Sequence, residues 1–251
     1  MRDDQDPGVD TAPGGPPRLA VNGLSIRHVG RRRRCLEGVT LEVASGERLL
    51  VVGPSGAGKS TLALCLNGLI PHSIDVHWEE GDVTVGGVPT ASISPGDLTR
   101  QVGYLFQDPD AQVVLSEVDD DIAFGLENRG VARHEMPDRI HEARAAVGLD
   151  GPRMPRDVFR LSGGARQRLA LAGLIVVRPD ILVLDEPVAN VDPEGAAAIW
   201  ATVERLVAGR RRSLVVIEHA ADDVLHLVAE ADLMGSDDGH ADEGRNHVAV
   251  D

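Results

Sequence analysis

The sequence predicts an α/β fold with a mainly parallel sheet, an antiparallel β-subdomain near its N-terminal end and an inserted α-helical subdomain. Three observations carry this prediction. A glycine-rich turn, GPSGAGKST from Gly53 to Thr61, stands between the apolar run Leu49 to Val52 and a helix-like run from Leu62 to Leu69. Three further apolar runs, at 102–106, 181–184 and 214–217, have the length of buried strands. Each of the four runs ends in groups able to handle phosphate, a cation or water: the glycine turn, Gln107, Asp185 with Glu186, and His219. In open α/β sheets ligands bind outside the carboxyl ends of parallel strands, so neighbouring parallel strands would bring all four onto one ligand.

Taken in order, residues 18–52 hold short alternating runs such as Thr40-Leu41-Glu42-Val43 and a Ser45-Gly46 turn, the pattern of a small antiparallel sheet. Arg31 to Arg34 read as a solvated hairpin tip. After the glycine turn, Leu62, Cys65, Leu66 and Leu69 fall at helical spacing, with Pro71 expected to close the helix. Residues 75–101 alternate again, with Gly81, Gly86 and Gly87 as turns. From Asp108 to Arg160 the chain is charged and helix-like with glycine and proline breaks, and the inserted subdomain is placed at about 108–175. LSGGARQRLALAGLI at 161–175 reads as a helix whose N-terminus either binds an anion or carries an ordinary serine cap. Ala196 to Val207 is helix-like. Residues 1–17, rich in Asp and Pro, and 235–251, rich in Asp and Gly, read as disordered tails around a folded domain at 18–234.

Composition limits the function. Forty acidic against 25 basic residues give a net charge of −15, which argues against a nucleic-acid-coating surface. The longest apolar stretch, Leu169 to Val177, falls far short of the roughly 18 residues that span a bilayer, so any membrane role passes through another subunit. The N-terminal stretch lacks the apolar core of a secretory signal, and cytoplasm is the expected compartment, with Cys35 and Cys65 as reduced thiols.

Gly53, Pro54, Ser55, Gly56, Ala57, Gly58, Lys59, Ser60 and Thr61 have the composition a polyphosphate cradle needs. Glycines let backbone N–H groups wrap phosphates, and the following helix N-terminus favours negative charge. Lys59 is the only lysine among 25 basic residues, standing where a compact point charge fits among phosphate oxygens better than a planar fork. Ser60 offers a hydroxyl to Mg²⁺. Asp185 suits the same hard cation, Glu186 a general base, Gln107 the orientation of water or metal, and His219 donation to a terminal phosphate.

GPSGAGKST, LSGGARQRLA, ILVLDEP, ANVDPEG and VIEHA occur in the order and approximate spacing of the ATP-binding-cassette ATPases, which residues 18–234 resemble. The resemblance implies ATP and Mg²⁺ as ligands, with Gly53 to Thr61 as the Walker A loop, Asp185 as the Walker B carboxylate and Glu186 as the catalytic glutamate. It makes Gln107 the Q-loop glutamine, His219 the switch histidine, Asp192 the D-loop aspartate and His28 the platform for adenine. Ser162, Gly163 and Gly164 resemble the signature motif, which in this family contacts ATP held by an opposite subunit in a head-to-tail dimer. VGYLFQDPDAQ at 102–112 and EVDDDIAFGLEN at 117–128 are similar to ATPases of energy-coupling-factor and cobalt or nickel importers. That implies a transmembrane coupling protein and a substrate-binding membrane subunit as partners, a place at the cytoplasmic face of the membrane, and uptake of a vitamin or transition metal ion. The alternatives are another importer or exporter class, or a soluble cassette acting on nucleic acid or ribosomes, which the acidic charge disfavours.

Overall fold

The computed structural model describes residues 18–189, 191–208 and 212–219, together with a strand at 247–249. In chain order the elements are β1 (Leu19–His28), β2 (Leu36–Val43), β3 (Arg48–Val52), α1 (Lys59–Leu66), α2 (Leu69–His72), β4 (Val76–Val85), β5 (Val88–Pro89), α3 (Pro95–Gln101) and β6 (Val102–Leu105). There follow α4 (Val118–Asn128), α5 (Met136–Ala146), α6 (Gly163–Ile175), β7 (Ile181–Asp185), α7 (Pro193–Val207), β8 (Ser213–Glu218) and β9 (His247–Ala249). Strands β2, β1, β4 and β5 form an antiparallel sheet in that order. The other five form a parallel sheet in the order β6-β7-β8-β3-β9. The four apolar runs are thus neighbouring parallel strands, and their polar C-terminal residues share one edge of the sheet.

These strands are continuously apolar because both faces are covered. Side chains alternate between two cores. Leu49, Val51, Ile181, Val183, Val215 and Ile217 pack with α1 and the antiparallel sheet. Leu50, Leu182, Leu184, Leu214 and Val216 pack with α4, α6 and α7. Helices α4 to α6 lie in the stretch read as the inserted subdomain. The acidic triplet Asp119 to Asp121 sits in the first turn of α4, where the helix dipole favours it. Asp121 is more than an exposed acid, since its Oδ1 accepts the N–H groups of Val114 at 2.8 Å and Leu115 at 2.9 Å. No helix among the described residues is long and apolar enough to cross a membrane.

Four expectations are corrected. Helix α1 stops at Leu66 and not at Pro71, because Gly68 takes a left-handed φ of 75° and its N–H closes onto the Cys65 carbonyl at 3.2 Å. Gly81 is a bulge inside β4 and not a turn. Its φ is 77°, and a Cβ there would stand 2.3 Å from the Asn22 carbonyl oxygen of β1, where the pairing register shifts. Residues 95–101 form α3 where alternation was expected, started by Ser94, whose Oγ accepts the Asp97 N–H at 3.2 Å. Within the acidic stretch read as a disordered tail, His247–Ala249 forms β9, parallel to β3 with Leu50 opposite His247. Its backbone pairs with the outer side of β3, which would otherwise be a free sheet edge. The rest of that tail, and residues 1–17, lie outside the described residues.

Candidate active site

Strand β3, between β8 and β9, delivers the chain into the glycine turn. Gly56 and Gly58 have φ of 84° and 95°, and a Cβ on Gly58 would meet the Cys35 carbonyl oxygen at 2.3 Å, so glycine is required there on both counts. Helix α1 opens directly from Gly58 with no side chain capping it, which leaves the N–H groups of its first turn to a ligand. Lys59 is only 5% exposed, and its Nζ donates to the carbonyls of Gly53 at 2.7 Å and Pro54 at 3.0 Å. The ammonium therefore lies across the turn, where terminal phosphates would arrive.

A cavity of about 340 Å³ opens here, and it gathers most of the site residues expected from sequence. His28, Ser55, Gly56, Gly58, Lys59, Ser60, Thr61, Gln107, Glu186 and His219 line it. His28, at the end of β1, places Nε2 3.1 Å from Thr61 Oγ1, beside the turn. Glu186 is the centre of a network that sequence reasoning did not foresee. Its Oε2 accepts from Gln107 Nε2 at 2.5 Å and its Oε1 pairs with His219 Nε2 at 2.8 Å. The other imidazole nitrogen, Nδ1, lies 3.4 Å from Lys59 Nζ. An ammonium only donates, so Nδ1 is the acceptor and Nε2 carries the proton toward Glu186. The glutamate backbone takes a left-handed φ of 47°, and its N–H donates to Ile217 O at 3.0 Å. The strain of that conformation sits at the end of β7, where the side chain must turn into the cavity.

Asp185 is 2% exposed. One oxygen, Oδ2, accepts the Tyr104 hydroxyl at 2.9 Å, whereas Oδ1 is buried with no hydrogen-bond partner. An orphaned buried carboxylate oxygen is costly unless it has a charge to meet. Asp185 does not itself line the cavity, but an unpartnered carboxylate oxygen suits a hard cation such as Mg²⁺, and the exposed Ser60 on the turn offers a second oxygen of the same hard kind. Among the described residues no group of three or more His, Cys, Asp or Glu is arranged to hold a metal ion.

The remaining candidates lie elsewhere. Ser162 caps α6, its Oγ accepting the Ala165 N–H at 3.3 Å, and lines a separate cavity of about 470 Å³ with Arg153, Arg160 and Arg168. Gly163 begins that helix. Asp192 caps α7 by accepting the Gly195 N–H at 3.0 Å, and a Cβ on Gly164 would stand 3.6 Å from Asp192 Oδ2. The signature-like and D-loop-like residues are therefore neighbours of each other and do not line the cavity at the glycine turn. Tyr104, which binds Asp185, and Cys35, which also lines the cavity at the turn, were missed. For Tyr104 the signal was the strand register, since it pairs with Val183 and so shares a sheet face with Asp185 two residues on.

Residues 36–189 match the family described as ABC transporter. The chain is 41% identical over 189 residues to the energy-coupling factor transporter ATP-binding protein EcfA1 of Enterococcus faecalis, covering 75% of this chain and 65% of that protein. It is 38% identical over 209 residues to a protein of Caldanaerobacter subterraneus named as an ABC transporter ATP-binding protein, and spans 36% of the length of that relative. Among solved structures, cbiO1 from Clostridium perfringens, described as part of the ABC transporter complex cbiONQ, aligns with a TM-score of 0.70 at 27% identity. That alignment covers 83% of this chain and 81% of the other. With the glycine turn, the paired acids and the signature-like helix in one α/β framework, the chain belongs to the ABC transporter family, as an ATP-binding-cassette ATPase domain.

Proposed function

We propose that this chain binds ATP with Mg²⁺ at the Gly53 to Thr61 turn, hydrolyses it, and energises uptake of a vitamin or a transition metal ion by an energy-coupling-factor-type membrane complex. The observation that carries the hydrolytic part is Glu186, a carboxylate 6% exposed and gripped by residues from the ends of two other strands. The uncapped first turn of α1 and the loop N–H groups receive the phosphates, and Lys59 supplies the point charge for the terminal ones. Asp185 Oδ1 and Ser60 Oγ are the oxygens that would hold the cation. A bound magnesium ion would supply concentrated positive charge to the phosphate oxygens. Glu186 accepts the proton of the attacking water. Each carboxylate oxygen can take two hydrogen bonds, so Gln107 and His219 orient the base and leave a position on each oxygen for water.

On the head-to-tail reading, Ser162 with its neighbours Gly163, Gly164 and Asp192 faces ATP held by a second ATPase chain, and the placement of these residues away from the cavity at their own glycine turn supports it. A groove of about 400 Å³ supports a membrane partner. The edge strand β6 lines it, with residues of α3, Phe124 of α4 and Arg129 just beyond that helix, and β6 and Phe124 lie in the stretches whose sequence is similar to the coupling-factor ATPases. On this reading the chain sits at the cytoplasmic face of the membrane, held there by a transmembrane coupling protein and a substrate-binding subunit. Affinity purification of the tagged chain from detergent-solubilised membranes tests this. The expected outcome is co-purification with two classes of membrane protein, and cargo uptake by vesicles of that complex only while ATP is hydrolysed. Recovery in soluble complexes alone, or ATPase activity stimulated by nucleic acid, contradicts it.

A further inference from the structure

Tyr104 takes no part in the chemistry above, yet it is the one side chain hydrogen-bonded to Asp185 among the described residues. The contact follows from topology. β6 and β7 are parallel neighbours with Tyr104 opposite Val183, and Asp185 lies two residues farther along the same face. A phenol on β6 therefore reaches a carboxylate at the end of β7 diagonally, at 2.9 Å. The ring is itself held, meeting Phe106 edge-on with centroids 4.6 Å apart at 60°.

A carboxylate turning about its terminal bond presents either oxygen equally well. Here the two oxygens are made different: Oδ2 is occupied by the phenol, and Oδ1 is buried and without a partner. We propose that Tyr104 is a positioning residue for cation binding, holding Asp185 by Oδ2 so that Oδ1 is the oxygen presented to Mg²⁺. The proposal rests on the reading of Asp185 as a cation ligand. It makes Tyr104 a partner that orients a ligand without touching the ion, a role in which substitution typically weakens metal binding 10- to 100-fold.

Tyr104→Phe keeps the ring and removes only the hydroxyl. The measurement is the affinity of the purified chain for a non-hydrolysable ATP analogue, first in EDTA and then across a Mg²⁺ titration. The expected result is unchanged affinity in EDTA and a Mg²⁺ half-point raised roughly tenfold. An unchanged half-point in a protein that melts like the parent overturns the proposal, as does equal weakening with and without Mg²⁺, which marks a merely structural role. Asp185→Asn separates the layers. If it leaves the half-point unmoved, the assignment of Asp185 fails. If it moves the half-point and Tyr104→Phe does not, the role of Tyr104 alone fails. Should the phenylalanine variant not fold, the chain offers a second probe, because Tyr104 is its only tyrosine. With 3-fluorotyrosine incorporated, the single fluorine resonance is expected to move when Mg²⁺ joins bound nucleotide, and a resonance that stays in place overturns the proposal.

Discussion

Glu186 owes its place to neighbours from the ends of two other strands: Gln107 beyond β6, and His219 with Ile217, which takes its N–H, at the end of β8. Removing the imidazole leaves Oε1 without its donor. A hydrogen bond of this kind to a charged group is worth about 1.5–3 kcal/mol, so His219→Ala is expected to lower turnover roughly 10- to 100-fold while nucleotide affinity stays within about threefold. Steady-state kinetics paired with equilibrium binding separate the two effects. The same substitution made on a Glu186→Gln background is expected to add little, since the two residues act as a unit. Asp185, Glu186, Gln107 and His219 were legible in the sequence because each terminates an apolar run. The direction of their contacts was not. That Gln107 and His219 grip the glutamate, and that Tyr104 reaches Asp185, depends on strand order and register, which only the folded sheet supplies.

At the scale of elements, two helix N-termini do different work. α1 begins with no side-chain cap and with Lys59 laid across the turn, whereas α6 is capped by its own Ser162 and opens on another cavity. Lys59→Ala is therefore expected to abolish nucleotide binding at the chain that carries it. Ser162→Arg is expected to spare that binding and to damage hydrolysis at the paired chain. Photo-crosslinking of radiolabelled nucleotide to each chain of a mixed pair reads the asymmetry, and loss of nucleotide from the Ser162→Arg chain itself would contradict it. Strands were easy to foresee because burial on both faces writes continuous apolar runs. Helix ends were harder. Gly68 ended α1 three residues before Pro71, and the Ser94-Pro95-Gly96-Asp97 start of α3 was a readable capping signal hidden in an alternating stretch. Gly81 looked like a turn because a bulge and a turn demand the same backbone freedom.

The described residues divide their buried apolar side chains between two cores on either face of the parallel sheet, and one of these holds the buried Cys65 and packs against the half-buried Tyr104. Burial pushes the Cys65 thiol above its ordinary value of 9.0, with Cys35 adding to the effect. Burial, and then Asp185, push the Tyr104 phenol above 10.0. Both groups keep their protons when folded and release them when unfolded, so the unfolded chain binds fewer protons above these ordinary values. Stability is therefore complete below about pH 9 and is expected to fall as pH climbs past it, by up to about 1.4 kcal/mol per pH unit for each group. Urea midpoints measured between pH 7 and pH 11 are expected to show that slope, and Cys65→Ala to flatten it by one group. The central claim concerns turnover. It is tested most directly by ATP hydrolysis of the Glu186→Gln chain in the proposed membrane complex, alongside the parent. The expected result is hydrolysis lower by roughly 10²-fold or more with ATP still bound, and turnover equal to the parent would contradict it.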